Sequence, residues 1–236
     1  MNLINHLLIS ISVIILIGCN TKTSKTDETR SINQDEEISN QDEEVLNQEI
    51  KEEFKLTDDN VIDFLFEYEK NNKENKIRIY TNYGEIDVLL FSNTPYHRSN
   101  FIYLTKLNYF EGTQFYRVVN DFVIQAGNSD NIKTSLKRQK IGKYLLPNDF
   151  NKGHTHKRGM VSMPSSSIDN PYKMASPYEF FIVQKKDGAH HLDGNYTIFG
   201  TVINGMEIVD IIASLPTDQR DWPLNNVYIN KVEIIN

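Results

Sequence analysis

The chain has 236 residues, 39% hydrophobic and 24% charged, the composition of a soluble globular protein long enough for one full domain plus appendages. Its charge is uneven: residues 21–60 carry 13 acidic and 5 basic side chains, a net of −8 against −7 for the whole chain, which leaves the remainder at +1. That near-neutral remainder argues against a nucleic-acid-binding role, which needs a net basic face, and the single cysteine, Cys19, excludes an internal disulfide and a cysteine-based metal site.

The first element is an apolar run, LLISISVIILIGC, shorter than the roughly 20 residues that an anchoring helix wants. It reads as the apolar part of a secretory signal covering residues 1–19. Leu16, Ile17, Gly18 and Cys19 resemble the bacterial lipobox. That resemblance implies a diacylglycerol on the Cys19 thiol, whose acyl chains anchor the mature protein by burying methylenes in a membrane. An ordinary signal peptide, or an uncleaved anchor with an incidental cysteine, is the alternative. Asn20, standing where a sorting aspartate would, implies by the same resemblance the outer membrane over the inner. Residues 20–56 are polar, acidic and too poor in apolar groups to offset ordering entropy, so they read as a flexible tether.

At Thr57 the pattern changes. Thr57 is placed to cap a helix, Asp58 and Asp59 suit its positive end, and Val61, Phe64, Leu65 and Tyr68 recur at helical spacing. Residues 57–74 therefore read as a helical lead-in to a domain over 75–236. From there the period becomes two: KIRIYTNYGEIDVLLF alternates around Asn-Tyr-Gly and predicts a hairpin. Thr94-Pro95 starts a second helix that carries Phe101 and Leu104 inward. Strands are expected at 115–119 and 123–126, followed by a turn-rich stretch over 128–159 in which Lys133, Lys137, Arg138, Lys140 and Lys143 read as a solvated loop. Later strands fall at 160–163, 180–183, 197–202 and 227–235. Ile208, Ile211, Ile212 and Leu215 make the apolar face of a third helix, stopped by Pro216. Many short strands with two helices predict a mainly β fold, a closed antiparallel barrel with capped ends.

Four blocks, FYRVVNDFVIQAG, RGMVSMP, EFFIV and HLDGNYTIFGTVINGMEIVD, resemble in order and spacing the signature blocks of the cyclophilins, the peptidyl-prolyl cis-trans isomerases. The resemblance runs from residue 76 to the end of the chain. It implies the eight-stranded cyclophilin barrel closed by two helices, here with an extra N-terminal helix, and no cofactor. A prolyl bond turns slowly because its C–N bond has partial double-bond character, with a barrier of about 18–20 kcal/mol. Rotation leaves a lone pair on the proline nitrogen, so a fixed cationic donor stabilises the transition state more than the planar amide. By resemblance Arg117, permanently charged, is that donor, and Gln125 supports it and contacts substrate. Phe122, Val123, Phe181 and Leu192 match the apolar slot for the proline ring, and Glu179, His191 and Tyr196 match further peptide-binding positions. Glu179, His191 and Tyr196 stand where the commonest pattern has glutamine, tryptophan and histidine, and Pro164-Ser165 replaces an Ala-Asn pair. These differences bear on peptide preference and efficiency.

Neither His154-x-His156 nor His190-His191 is completed by carboxylates or cysteines at recognisable spacing, so no metal is expected. Ser162, Ser165, Ser166 and Ser167 lack a nucleophile elbow, and the serine run reads as a loop. The expected partners are prolyl segments of unfolded or exported proteins, with the membrane reached through the lipid anchor. The protein is expected to be a monomer in the cell envelope. The competing reading is a proline-peptide binding or scaffold module of the envelope with little turnover.

Overall fold

The computed structural model describes residues 54–149, 151–165 and 169–236. The expected signal with Cys19, the tether up to residue 53, and Ser166 and Ser167 lie outside the described residues.

The hairpin forms as its sequence requires. Strands β2 (Lys76–Thr81) and β3 (Gly84–Leu90) pair with Thr81 opposite Gly84, and the Thr81 hydroxyl accepts the Tyr83 and Gly84 N–H groups to close the turn. The other barrel strands are β4 (Gln114–Val119), β5 (Val123–Asn128), β7 (Met160–Ser162), β8 (Phe180–Val183), β9 (Ile198–Asn204) and β10 (Ile229–Ile234). They form one eight-stranded antiparallel sheet in the order β10-β2-β3-β9-β7-β8-β5-β4. The sheet curls until its edges meet: Phe115 N donates to Val227 O and Ile229 N to Thr113 O, so the barrel is nearly closed. Phe101, Phe110, Phe115, Phe180 and Phe199, each no more than 2% exposed, dominate the core. Phe101 and Leu104 reach it from helix α2 (Pro95–Lys106), which starts with proline as expected, although the Thr94 hydroxyl donates to Phe91 O instead of capping. Helix α4 (Met206–Ala213) buries Val209, Ile212 and Ala213, whereas Ile211, expected inward, lies on the flank and is 43% exposed.

The lysine-rich stretch after β5 is not a solvated loop. It folds as helix α3 (Ile132–Ile141), capped by Asn131 Oδ1, which accepts the Lys133 N–H at 2.9 Å. The helix buries only Thr134 and Ile141, so the sequence carries no apolar period to announce it. Lys137 donates to the carbonyls of Asn108, Tyr109 and Glu111 at 2.7, 3.2 and 2.9 Å, and Arg138 turns toward the barrel.

The folded body begins inside the stretch read as tether. Strand β1 (Leu56–Thr57) pairs in parallel with β6 (Gly142–Lys143), and Leu56 is fully buried. Gly142 permits this approach, because a Cβ there would lie 2.0 Å from Leu56 O. Thr57 is therefore a strand residue and not a cap: its N–H goes to Asn60 Oδ1, and helix α1 (Val61–Asn71) starts after Asn60. Val61 and Leu65 face inward, and Phe64 and Tyr68 pack on Tyr103 of α2 with ring centroids 5.0 and 5.4 Å away. Arg98 of α2, its side chain 4% exposed, bonds Glu69 and Lys73 O.

His97, also on α2, is fully buried against Phe199, and neither ring nitrogen has a partner among the described residues. Burial pushes its pKa down to about 3. Between pH 3 and the usual 6.5 the unfolded chain binds a proton that the folded one refuses. Stability is therefore full above about pH 6.5 and is lost as pH falls, by up to about 1.4 kcal/mol per pH unit. His97→Phe is expected to flatten this limb in denaturant titrations run at pH 4.5, 5.5 and 7; an unchanged slope would refute the assignment.

Candidate active site

Strands β4 and β5 pair with a bulge between Phe115 and Arg117. Phe115 opposes Ala126 and Arg117 opposes Gln125, so Tyr116 is the extra residue. The bulge has two results. Arg117 and Gln125 become direct cross-strand partners and share a face, and Tyr116 also swings over to reach Gln125, whose Nε2 donates to the phenol oxygen.

The Arg117 side chain is 39% exposed, and its Nε lies 3.3 Å from Asp221 Oδ2. Its two terminal NH₂ groups have no partner among the described residues, so a permanent cation with free donors sits at the rim of a cavity of about 410 Å³. Arg117, Phe122, Val123, Gln125, Phe181, Leu192 and Tyr196 line that cavity, joined by Pro164 and Ser165. Val123 and Phe181, 3% and 5% exposed, form with Val183 and Ala189 a small apolar cluster separate from the barrel core. Glu179 and His191 are placed differently from the rest of the predicted set. Glu179 accepts from Tyr116 and Arg138 behind Gln125, and His191 is exposed and stacked on Phe122 at 5.3 Å. A larger hollow of about 790 Å³ lies between β1, α3 and Tyr178, but it holds neither Arg117 nor Gln125.

Pro164 changes what the groove offers a peptide. It has no N–H to donate, and its carbonyl already accepts the Ser176 N–H at 2.8 Å. Ser165 is pinned as well, its hydroxyl donating to Met174 O at 3.0 Å.

Beneath the slot, Ser162, His156 and Asp193 fall into a hydrolase-like line. His156 Nδ1 is 2.7 Å from Asp193 Oδ1, and Nε2 is 3.3 Å from Ser162 Oγ. The line cannot act as a nucleophile, because Ser162 and His156 are fully buried and the hydroxyl donates to Thr197 O at 2.7 Å. It is scaffolding: the His156 backbone N–H also bonds Asp193, and Ala189 N bonds His156 O, which fixes the turn carrying Leu192 and Tyr196. The His156 ring stacks under Phe181 at 5.9 Å. Burial, opposed by Asp193, keeps its pKa below the usual value. His190 shares Asp193, while His154 stands apart on Phe91. Ser162 closes β7, within the strand expected over 160–163.

Sequence reasoning missed Asp221, Tyr116 and Arg138. Trp222 packs on Tyr116 with centroids 5.8 Å apart but stays outside the cavity lining. The one local signal for the Asp221 turn is Asp218, whose Oδ1 accepts the Arg220 and Trp222 N–H groups.

Residues 76–234 match the family model described as cyclophilin type peptidyl-prolyl cis-trans isomerase/CLD. The peptidyl-prolyl cis-trans isomerase-like 3 of Dictyostelium discoideum is 32% identical over 160 residues, covering 67% of this chain and 94% of the relative. A peptidyl-prolyl cis-trans isomerase of Acinetobacter baylyi is 34% identical over 166 residues, covering 67% of this chain and 84% of the relative. The isomerase-like 2 protein of Rhizopus delemar is 34% identical over 171 residues and 72% of this chain, which spans only 30% of that protein's length. A Cryptosporidium parvum cyclophilin-type isomerase, crystallised in the presence of the dipeptide Ala-Pro, superposes with a TM-score of 0.57 at 28% identity, covering 68% of this chain and 99% of that one. The matched span holds every barrel strand and the whole cavity lining, and the chain belongs to the cyclophilin-type peptidyl-prolyl cis-trans isomerases.

Proposed function

We propose that this chain accelerates rotation of X-Pro bonds in exported proteins while a lipid on Cys19 holds it at a bacterial cell envelope. The observation that carries the catalytic reading is Arg117 facing Gln125 at the mouth of an apolar slot. Asp221 pairs with the guanidinium from the Nε side, which steadies it, while neither NH₂ group has a hydrogen-bond partner among the described residues, so both can donate. When the proline ring enters between Phe122, Phe181 and Leu192, water leaves and the donor acts in a lower dielectric. Arg117 then stabilises the nitrogen lone pair that appears only as the amide twists. No bond to substrate forms, so neither a base nor a nucleophile is needed.

A second reading, a peptide-binding module with little turnover, draws support from Pro164, which withdraws a backbone donor from the groove. Isomerisation of a short Ala-Pro peptide, measured beside its binding by titration, separates the two. Acceleration supports the enzyme; binding without acceleration supports the module. Acceleration should depend on Arg117, as argued below.

The envelope reading rests on Leu16-Ile17-Gly18-Cys19 and, for the outer membrane, on Asn20. Cys19→Ser is expected to abolish incorporation of labelled fatty acid and release the protein from the membrane fraction. A parent protein that takes up no label would overturn the anchor.

A further inference from the structure

A chain of hydrogen bonds leads away from Gln125. Its Nε2 donates to the Tyr116 oxygen, the Tyr116 hydroxyl donates to Glu179 Oε2 at 2.8 Å, and Arg138 Nη2 lies 3.4 Å from Glu179 Oε1. Arg138 is itself fixed: Nε donates to Tyr109 Oη at 2.8 Å, Nη2 to Gly127 O at 3.1 Å, and its guanidinium carbon lies 5.1 Å from the Tyr178 ring centre. Gly127 permits this packing, because a Cβ at its φ of +97° would lie 2.2 Å from Tyr178 O.

Counting protons gives the chain a direction. A carboxylate only accepts, and a phenol has one proton to give. Tyr116 must therefore spend its proton on Glu179 and can only accept from Gln125. The NH₂ end of the Gln125 amide has to face Tyr116. Its Oε1 end has no partner among the described residues, and Gln125 lines the cavity. If residue 179 were the glutamine of the commonest family pattern, its amide could donate to Tyr116, the phenol could donate to Gln125 Oε1, and the Gln125 amide could sit either way round. Burial, and then the Glu179 carboxylate, push the Tyr116 pKa well above its usual value, so the phenol keeps its proton.

We propose that Arg138 is a positioning residue: by holding the Glu179 carboxylate against Tyr116 it fixes the Gln125 amide with its carbonyl toward the groove, where it accepts a backbone N–H of the bound prolyl peptide. This rests on Gln125 belonging to the peptide-binding site. The device draws on α3, whose sequence carries no apolar period, and gives the acidic residue at 179 a task that glutamine could not perform.

The test is a set of cycles on the full chain, read as kcat and KM for an Ala-Pro peptide. The isosteric Glu179→Gln is expected to lower kcat/KM by about 3–10-fold, mainly through KM, as for one lost net hydrogen bond. It should also shift the Gln125 side-chain amide peaks in ¹H–¹⁵N spectra. Arg138→Met should cause a similar loss, Arg138→Lys a smaller one, and neither should add to the loss in a Tyr116→Phe background. Losses that add across that background, or a Glu179→Gln protein within twofold of the parent, overturn the proposal. Should Arg138→Met fail to fold, the Glu179→Gln and Tyr116→Phe cycle decides alone. Gln125→Ala tells the two readings apart. If it leaves kcat/KM unchanged, the placement of Gln125 in the site falls and the proposal with it. If it lowers kcat/KM while the cycles are additive, only the positioning role falls.

Discussion

Arg117→Ala is expected to lower kcat/KM on a prolyl peptide by about 30- to 900-fold, or about 2–4 kcal/mol of transition-state stabilisation. The barrel should stay folded. Arg117 is 39% exposed, and its one ion pair among the described residues is with Asp221, itself 42% exposed, so the pair contributes little to stability. The cost falls on the rotated amide, where the lost donor has no substitute: Gln125 carries no charge, and Arg138 is committed to Tyr109, Gly127 and Glu179. Arg117→Lys should recover only part of the loss, since an ammonium keeps the charge but not the fork that Asp221 and substrate share. Asp221→Asn should lower turnover less than either, because it loosens the donor without removing it. Circular dichroism and the thermal midpoint control for folding. Turnover equal to that of the parent in a folded Arg117→Ala protein would remove Arg117 from the mechanism.

What could be read from the sequence divides along the range of the interactions. The hairpin over β2 and β3 was legible because alternation and a two-residue turn are local, and α1 because Val61, Leu65 and Tyr68 recur at helical spacing. Arg117, Gln125 and most of the slot were legible through contiguous blocks resembling a family. The partners that give those residues their setting were not. Asp221 reaches Arg117 from more than a hundred residues away, and Arg138 reaches Glu179 across forty-one. His156 supports Phe181 from another strand connection, and alone in sequence it looked like half of a metal motif. The placing of Tyr116 beside Gln125 comes from a bulge, which simple alternation along a strand does not announce. The start of the folded body was misread for a related reason. Leu56 sits in an acidic stretch, and only its parallel pairing with Gly142 reveals that it is core.

That pairing leads to the second large effect, on stability. A chain cut to residues 75–236, the length that the family resemblance alone recommends, is expected to melt about 10–20 °C below one that begins at residue 54. The cut removes Leu56, Val61 and Leu65, all at most 1% exposed, together with the aromatic packing of Phe64 and Tyr68 on Tyr103. It exposes the face of α2 that they covered and leaves β6 without its partner strand. Two point variants resolve the contributions. Leu65→Ala should cost about 2–5 kcal/mol, as for other fully buried leucines. Glu69→Gln keeps the covering helix but leaves the Arg98 guanidinium, 4% exposed, without its carboxylate. It should cost about 3 kcal/mol, the low end for a broken buried pair, because Glu69 itself is 22% exposed. At about 2–4 °C per kcal/mol for a domain of this size, either change alone is measurable. If the shortened chain melts within a few degrees of the longer one, the N-terminal strand and helix rest on a barrel that does not need them, and the buried contacts of Leu56 and Leu65 carry no net stability.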